Sequence, residues 1–293
     1  MDNQKLSFAI IGGEKGEHIN DLIDEISRTG HEATHINVKE LIIISSEDGF
    51  DVLFNSKSIL EFDVFILRSA FRSLKNEVCI IANFLLKNNK TIIDAVVGEN
   101  YIAGKVYESY LLSQAGIASP LTIQIFSDKN KLVVSEKIKF PIIAKPIVGS
   151  KGRGVQKINN IEELEKFKII EDSDKFFFQE YIPITYDIRV FVVGDEVLGA
   201  MKRFVGKDDF RSNASLGSEV KKMELTNSLK DIAVRATKAY KYEVAGVDVV
   251  IHNNKECVLE VNNAPQWMAF KKVVGINPAK SIIAYAVNKH NNK

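Results

Sequence analysis

The chain has 293 residues, 45% of them hydrophobic and 26% charged, with a formal net charge of +1. That length accommodates two or three compact units with ordinary cores. A near-neutral balance gives no electrostatic case for nucleic acid or an acidic membrane surface, and no apolar run is long enough to span a bilayer.

Residues 7–11 (SFAII) read as a buried strand entering the tight turn at Gly12-Gly13. The run is far too short for a secretory signal, so the expected compartment is the cytoplasm. A helix follows over 17–29, with Ile19, Leu22, Ile23 and Ile26 on one face and Gly30 closing it. Strands are predicted at 33–38, 41–45, 64–67 and 91–93, with a helix at 77–86. This alternation predicts a parallel α/β layer. Arg68 leaves the end of an apolar strand, where open α/β sheets present ligand groups; it can hold a substrate carboxylate or pair with Asp63. Cys79 and Cys257 fit no metal or redox spacing and read as free thiols in apolar runs.

Residues 100–118 read as a helix with Lys105 near its start, and 121–126 as a strand opened by Pro120. The block FPIIAKPIVGSKGRGVQKI then places Lys145 at the end of an apolar strand. Beyond it, Gly149, Ser150, Lys151, Gly152, Arg153 and Gly154 precede a second strand at 155–158. Glycines let backbone N–H groups approach a phosphate, although no Lys-Ser/Thr pair opens a helix here as a P-loop requires. A short helix over 161–167 leads to the strand 176–182. Its end, Gln179–Ile182, can connect two lobes and offer backbone groups to an adenine edge. Next come a hairpin, 187–193 with 196–203, a long polar loop over 205–219, and a helix at 228–240. The terminal KHNNK reads as a frayed, solvated end.

The stretch 245–267, AGVDVVIHNNKECVLEVNNAPQW, reads as two strands, 247–251 and 257–261, around a polar turn. Glu260 and Asn262 share a face because side chains alternate along a strand. Asp248 depends on the turn. An odd loop such as 253–255 sets it opposite Glu260, roughly 5 Å apart at Cβ, whereas a two-residue Asn-Asn turn sends the two acids to opposite faces. The surrounding valines leave little room for solvated acids, so a divalent cation between Asp248, Glu260 and Asn262 is the preferred reading over a surface hairpin.

The ordered set AKP-x-x-GSKGRGV, QEYI, DIRVFVVGDEV, KRF, DFRSN, AGVDVV and LEVN resembles the ATP-grasp ligases, most closely the RimK-like amino-acid ligases, over roughly residues 95–287. The resemblance implies an α/β ATP-grasp fold. Its parts would be a pre-ATP-grasp unit over 1–98, a central lobe with the glycine loop over 99–178, and a C-terminal lobe with the metal hairpin over 179–293. It implies ATP-dependent amide formation through an acyl phosphate, adding glutamate or another amino acid to a protein, peptide or coenzyme carboxylate. Lys105 and Lys145 would contact the ATP phosphates under Gly149, Ser150, Gly152 and Gly154. Gln179, Glu180, Tyr181 and Ile182 would line the adenine and ribose pocket, with Asp187 nearby. Arg203 would face the γ-phosphate and acyl phosphate, with Lys145 and Arg211 as further catalytic cations, and Arg211 and Asn213 would complete the phosphate site. Asp248, Glu260 and Asn262 would hold two Mg²⁺, with Mn²⁺ an alternative. No nucleic acid or membrane partner is implied; a homo-oligomer is compatible with the family.

The chain departs from the family where E-V-N usually runs into a small residue and Ser-Pro-Gly. Here Asn263, Ala264, Pro265, Gln266 and Trp267 follow, in a segment expected to border the acceptor site. A Gln-Trp pair there resembles grasp enzymes that crosslink ribosomal peptides. A peptide-crosslinking ligase, a grasp-type kinase and a nucleotide-binding regulator are therefore the alternatives.

Overall fold

Apolar runs alternate with amphipathic helices through the first hundred residues, and the computed structural model folds them into a parallel sheet. The structure describes residues 5–47, 49–68, 74–99, 104–147, 154–171, 174–205 and 219–293. In order come β1 (Ser7–Gly12), α1 (Glu17–Arg28), β2 (Glu32–Asn37), β3 (Ile42–Ser46), β4 (Gly49–Phe54), β5 (Lys57–Ser58), β6 (Val64–Leu67), α2 (Lys75–Lys87) and β7 (Thr91–Ile93). The order β2-β1-β6-β7 is parallel throughout. Because helices cover both faces, Phe8 through Ile11 are all fully buried, as a continuous apolar strand predicts. Strands β3, β4 and β5 form a separate antiparallel sheet, of which the apolar pattern signals only the first.

The middle of the chain contributes α3 (Lys105–Gln114), β8 (Thr122–Ile123), α4 (Lys131–Lys137), β9 (Ile142–Pro146), β10 (Gln156–Ile158), α5 (Ile161–Lys166), β11 (Ile170–Glu171) and β12 (Asp174–Glu180). The strand expected over 121–126 shrinks to two residues, and α4 fills a stretch to which the sequence reading assigned no element. A five-stranded sheet forms, β10-β9-β12-β11 with β8 against β12, over a core of Val134, Ile142, Ala144, Leu164 and Phe178.

The remainder contributes β13 (Tyr186–Val193), β14 (Glu196–Phe204), β15 (Val220–Met223), α6 (Asn227–Ala239), β16 (Val244–His252), β17 (Lys255–Asn263), α7 (Met268–Val274) and α8 (Pro278–Asn291). Thr226 caps α6, its hydroxyl accepting from Leu229 N at 3.1 Å. The stripe Leu229, Ala233 and Ala236 packs on one face of the sheet β15-β14-β13-β16-β17. The same core takes Leu112 of α3 together with Ile117, and Val258 N donates to Ala118 O at 2.8 Å. Lys105 therefore travels with the C-terminal sheet, whereas Lys145 on β9 travels with the middle one.

The C-terminus returns to the first sheet. Ile282, Ile283 and Ala286 of α8 pack with Phe8, Ile10, Leu22 and Ile26. The terminal KHNNK is thus not a frayed tail. Lys289 Nζ donates to Ile92 O at 2.9 Å and to Glu243, and His290 Nδ1 lies 3.0 Å from Thr91 Oγ1. At the same seam Asp94 Oδ1 accepts from Glu243 N and from Val244 N, the latter at 2.9 Å. Burial and the Glu243 charge push Asp94 up to about 7, although these N–H donors and Arg68 oppose the shift.

Candidate active site

Cross-strand register decides which side chains meet. Asp187 opposes Arg203, Arg189 opposes Asp248, and Asp248 opposes Glu260. Residues two apart share a face, so Asp187, Arg189, Arg203, Asp248, Glu260 and Asn262 all project from one side of the C-terminal sheet. The opposite side carries Ile188, Val190, Val247, Val249 and Val261 into the core beneath α6.

The facing of Asp248 and Glu260 arises in a way the turn alone does not predict. His252 pairs with Lys255, so the turn is the two-residue Asn253-Asn254, with φ values of 50° and 59° suited to asparagine. Unmodified, that turn would put the two acids on opposite faces. A register shift between Asp248 and Val249 intervenes: Val249 pairs with Val258 and Asp248 with Glu260, leaving Leu259 as the extra residue of a bulge. The bulge returns Glu260 and Asn262 to the face of Asp248.

Asp248 is buried, and its pKa is lowered. Burial opposes its charge, but Arg189 and Arg203 outweigh that. Arg189 grips both of its oxygens, with Nη2 donating to Oδ2 at 2.8 Å, and Arg203 Nη2 lies 2.9 Å from Oδ2. Arg203 also forks onto Asp187, Nε donating to Oδ1 at 2.7 Å. Burial works against the Arg203 charge, yet the two aspartates raise its pKa. Gly246 permits this packing, since a Cβ there would stand 2.9 Å from Arg189 Nη1 and 2.8 Å from Pro265 Cβ. Asn262 Nδ2 is 3.4 Å from Asp248 Oδ2.

Glu260 is held from α3. Lys105 Nζ donates to Glu260 Oε1 at 2.7 Å and to Glu108 Oε2 at 2.9 Å, one helical turn on. Burial disfavours the Lys105 charge, but Glu260 and Glu108 raise its pKa. On the middle sheet Lys145 opposes Phe177, so Gln179 shares its face, and Lys145 Nζ donates to Gln179 Oε1. Gln179 Nε2 in turn donates to Thr122 Oγ1 at 3.0 Å. Burial pushes Lys145 down to about 8; Glu260 opposes this, Lys105 adds to it, and Glu108 opposes it.

Glu180 is half-buried, with Oε2 accepting from Leu121 N at 3.4 Å and Oε1 lying 3.3 Å from His252 Nε2. The Lys157 ammonium sits 4.2 Å from the centre of the Tyr181 ring, and Ile182 joins Val250 and Cys257 in a small apolar cluster. Gly154 adopts φ +74° against Pro146. Gly149, Ser150, Gly152, Arg211 and Asn213 lie outside the described residues.

Among the described residues no three His, Cys, Asp or Glu side chains cluster as a metal site. The hairpin instead offers two carboxylates and an amide. These are hard oxygen donors of the kind Mg²⁺ takes, and in this structure Lys105, Arg189 and Arg203 supply the positive charge they attract.

Two expectations fail at the other edge of the site. Arg68 neither pairs with Asp63 nor faces an open substrate pocket. Asp63 bonds Ser7, while Arg68 is buried, donating from Nη2 to Pro265 O at 2.8 Å and to Ala264 O at 3.3 Å, with Trp267 stacked 4.6 Å away. Burial pushes Arg68 down to about 10, with Asp94 opposing, so it stays charged at neutral pH. Trp267 is fully buried rather than lining an acceptor pocket. Its Nε1 donates to Asp21 Oδ2 at 2.9 Å, and Lys271 Nζ donates to Asp21 Oδ1 at 2.6 Å. His18 meets the indole edge-on at 4.8 Å; burial and Arg68 push it down to about 4, so it is neutral. Strands β1 and β6 flank the crevice where strand order reverses, and residues 264–267 of the chain itself fill it. Arg189, which sequence reasoning left without a role, belongs to the site. Its signal was the shared face with Asp187.

The chain is similar to known proteins in sequence and in fold. The chain is 24% identical over 275 residues to the alpha-aminoadipate–LysW ligase LysX of Saccharolobus solfataricus, covering 91% of this chain and 95% of that one. It is 31% identical over 203 residues to the tetrahydromethanopterin:alpha-L-glutamate ligase of Methanocaldococcus jannaschii, covering 66% and 68%. Among solved structures, the macrocyclase MdnC of Microcystis aeruginosa, bound to its precursor peptide MdnA, superposes with a TM-score of 0.72 at 14% identity, covering 97% of this chain and all of that one. The D-alanine–D-alanine ligase of Bacillus anthracis gives 0.68 at 17%, covering 98% and 99%. The RimK-like ATP-grasp domain model matches residues 67–286, which take in α3, Lys105, Lys145 and the whole charged sheet face, and the chain belongs to that family.

Proposed function

We propose that this ATP-dependent ligase phosphorylates a carboxylate and then joins it to an amine, adding glutamate or another amino acid to a protein, peptide or coenzyme carboxyl group. The observation that carries this reading is the single sheet face on which Asp248 opposes Glu260, with Arg203 beside Asp248 and Lys105 on Glu260. A carboxylate does not react usefully with an amine at neutral pH. Transfer of a phosphoryl group makes it an acyl phosphate with a good leaving group. The transferred group carries spread negative charge, so catalysis rests on positioning and charge compensation. Lys105, on the helix packed against the C-terminal sheet, and Lys145, on the middle sheet, would approach the phosphates from two units, and Arg203, fixed by Asp187, would face the acyl phosphate. Asp248, Glu260 and Asn262 are the residues to hold two Mg²⁺, which would clamp the phosphates during transfer. Gln179 orients Lys145, and Glu180, Tyr181 and Ile182 form the stretch for the adenine and ribose.

The purified chain is expected to release ADP only with Mg²⁺, a carboxylate acceptor and an amine together. Hydroxylamine should intercept the activated acyl group as a hydroxamate. Phosphate appearing on a hydroxyl instead would make the chain a grasp-type kinase and end the ligase reading.

A further inference from the structure

The acids of the charged sheet face already have partners among the chain's own cations. Asp248 Oδ2 accepts from Arg189 Nη2 at 2.8 Å and lies 2.9 Å from Arg203 Nη2 and 3.4 Å from Asn262 Nδ2, while Oδ1 accepts from Arg189 Nε. A carboxylate has about four lone-pair directions, so this one has little left to offer a cation. Arg203 divides its donors between Asp187 and Asp248, whereas Arg189 commits its fork to Asp248. Glu260 is held more loosely. Its side chain is 38% exposed, and its partner Lys105 keeps a second carboxylate, Glu108, at 2.9 Å. Lys105 can therefore leave Glu260 and still be paired. Among the described residues, the acids Asp187, Asp248, Glu108 and Glu260 stand with the cations Lys105, Lys145, Arg189 and Arg203, Lys145 lying close enough to feel the Glu260 charge. A divalent cation arriving alone meets a face whose charges already balance.

We propose that Arg189 is a built-in counter-ion which, together with Lys105, keeps a lone divalent cation off the hairpin, so that Asp248 and Glu260 take a metal only when a polyphosphate brings compensating charge. This rests on the reading of the hairpin as the metal site. A polyphosphate reaching Lys105 draws its ammonium from Glu260, and Glu108 keeps the lysine in the site meanwhile. Arg189 does not let go. It is buried against the sheet, with Gly246 leaving just enough room for it, and it grips both oxygens of Asp248. Its positive charge, a few ångströms from any cation on Asp248, lowers the affinity of that carboxylate for the cation until added phosphate charge offsets it. The role has a sign of its own. An arginine that only held Asp248 in place would, on removal, weaken metal binding; a counter-ion, on removal, strengthens it.

Titrating the full chain with Mn²⁺ alone, without nucleotide, and following the electron paramagnetic resonance signal of the free ion tests this. Arg189→Met and Lys105→Met should each bind Mn²⁺ about tenfold or more tighter than wild type. Arg189→Lys, which keeps the charge, should stay near wild type. Adding Glu260→Gln to either Met variant should abolish the gain. Because Arg189→Met strips a partner from a buried carboxylate, its unfolding midpoint is read alongside; where that variant does not fold, the half-exposed Lys105→Met decides. A wild type that binds Mn²⁺ as tightly as the Met variants, and loses it on Glu260→Gln, would overturn the counter-ion role and leave the metal site standing. Met variants that bind no better than a weakly binding wild type would overturn the role as well. A gain that survives Glu260→Gln would place the ion elsewhere, and would end the metal assignment together with the proposal.

Discussion

The terminal units and the middle lobe are attached in different ways. The first and third sheets are fused by buried groups: Trp267 between them, Arg68 on two backbone carbonyls, Asp94 on two backbone N–H groups, and α8 laid across the first sheet. The middle sheet meets this frame through a few polar side chains, among them Glu180 with His252 and Thr122 with Ser109. Buried apolar seams move as one body, whereas a handful of partly solvated polar links allow relative motion. The charged face therefore sits on the frame joined by buried groups, and Lys145 sits on the sheet attached to it mainly by polar links.

The largest expected effect breaks the frame itself. Trp267→Ala empties a fully buried indole site and leaves Asp21 with Lys271 alone of its two partners, and should cost roughly 3–5 kcal/mol of stability by urea unfolding. Glu260→Gln keeps the frame and touches the chemistry. ADP release should fall on the order of 10³-fold at an unchanged unfolding midpoint, and undiminished turnover would remove the metal assignment.

Asp94 sharpens the comparison through pH. Its folded pKa of about 7 lies above the ordinary aspartate value of 3.8, so between the two the folded state holds a proton that the unfolded state has lost. Its stabilising contribution is therefore complete below about pH 4 and is lost as pH rises through 7, by up to about 1.4 kcal/mol per unit. Asp94→Asn should remove that slope from the difference between wild-type and variant unfolding curves.

On the middle sheet, Lys145 at about 8 should lose its charge in mildly alkaline solution, raising the KM for ATP by up to about tenfold per pH unit in the free enzyme. Lys145→Arg stays charged and should flatten that profile. Smallest of all, His252→Ala removes a partly exposed link to Glu180 and should change stability by less than about 1 kcal/mol. A larger loss would mean the middle lobe is held more firmly than its contacts imply.

Much of this was legible before any coordinates. Strict apolar runs pointed to β1 and β6, the 3.6-residue stripe to α1, and alternation to the shared face of Glu260 with Asn262. What escaped depended on tertiary facts that leave no periodic trace. Leu259 looks like any apolar strand residue, yet its place in a bulge decides whether Glu260 meets Asp248. The KHNNK end looks solvated because its residues are polar, but Lys289 and His290 find carbonyl, carboxylate and hydroxyl partners on the first sheet. Arg68 and Trp267 each carry a polar handle suggestive of ligand contact, and only the packing reveals that Arg68 bonds the 264 and 265 carbonyls and stacks on Trp267, whose Nε1 donates to Asp21.

The packing of α3 on the C-terminal sheet has a mechanical consequence. Lys105 and Lys145 belong to different units, so any change in how the middle sheet meets the frame would alter their spacing and leave the Lys105–Glu260 pair intact. A polyphosphate long enough to reach both ammonium groups would bridge the two units by charge, which a bare nucleoside has no anionic groups to do.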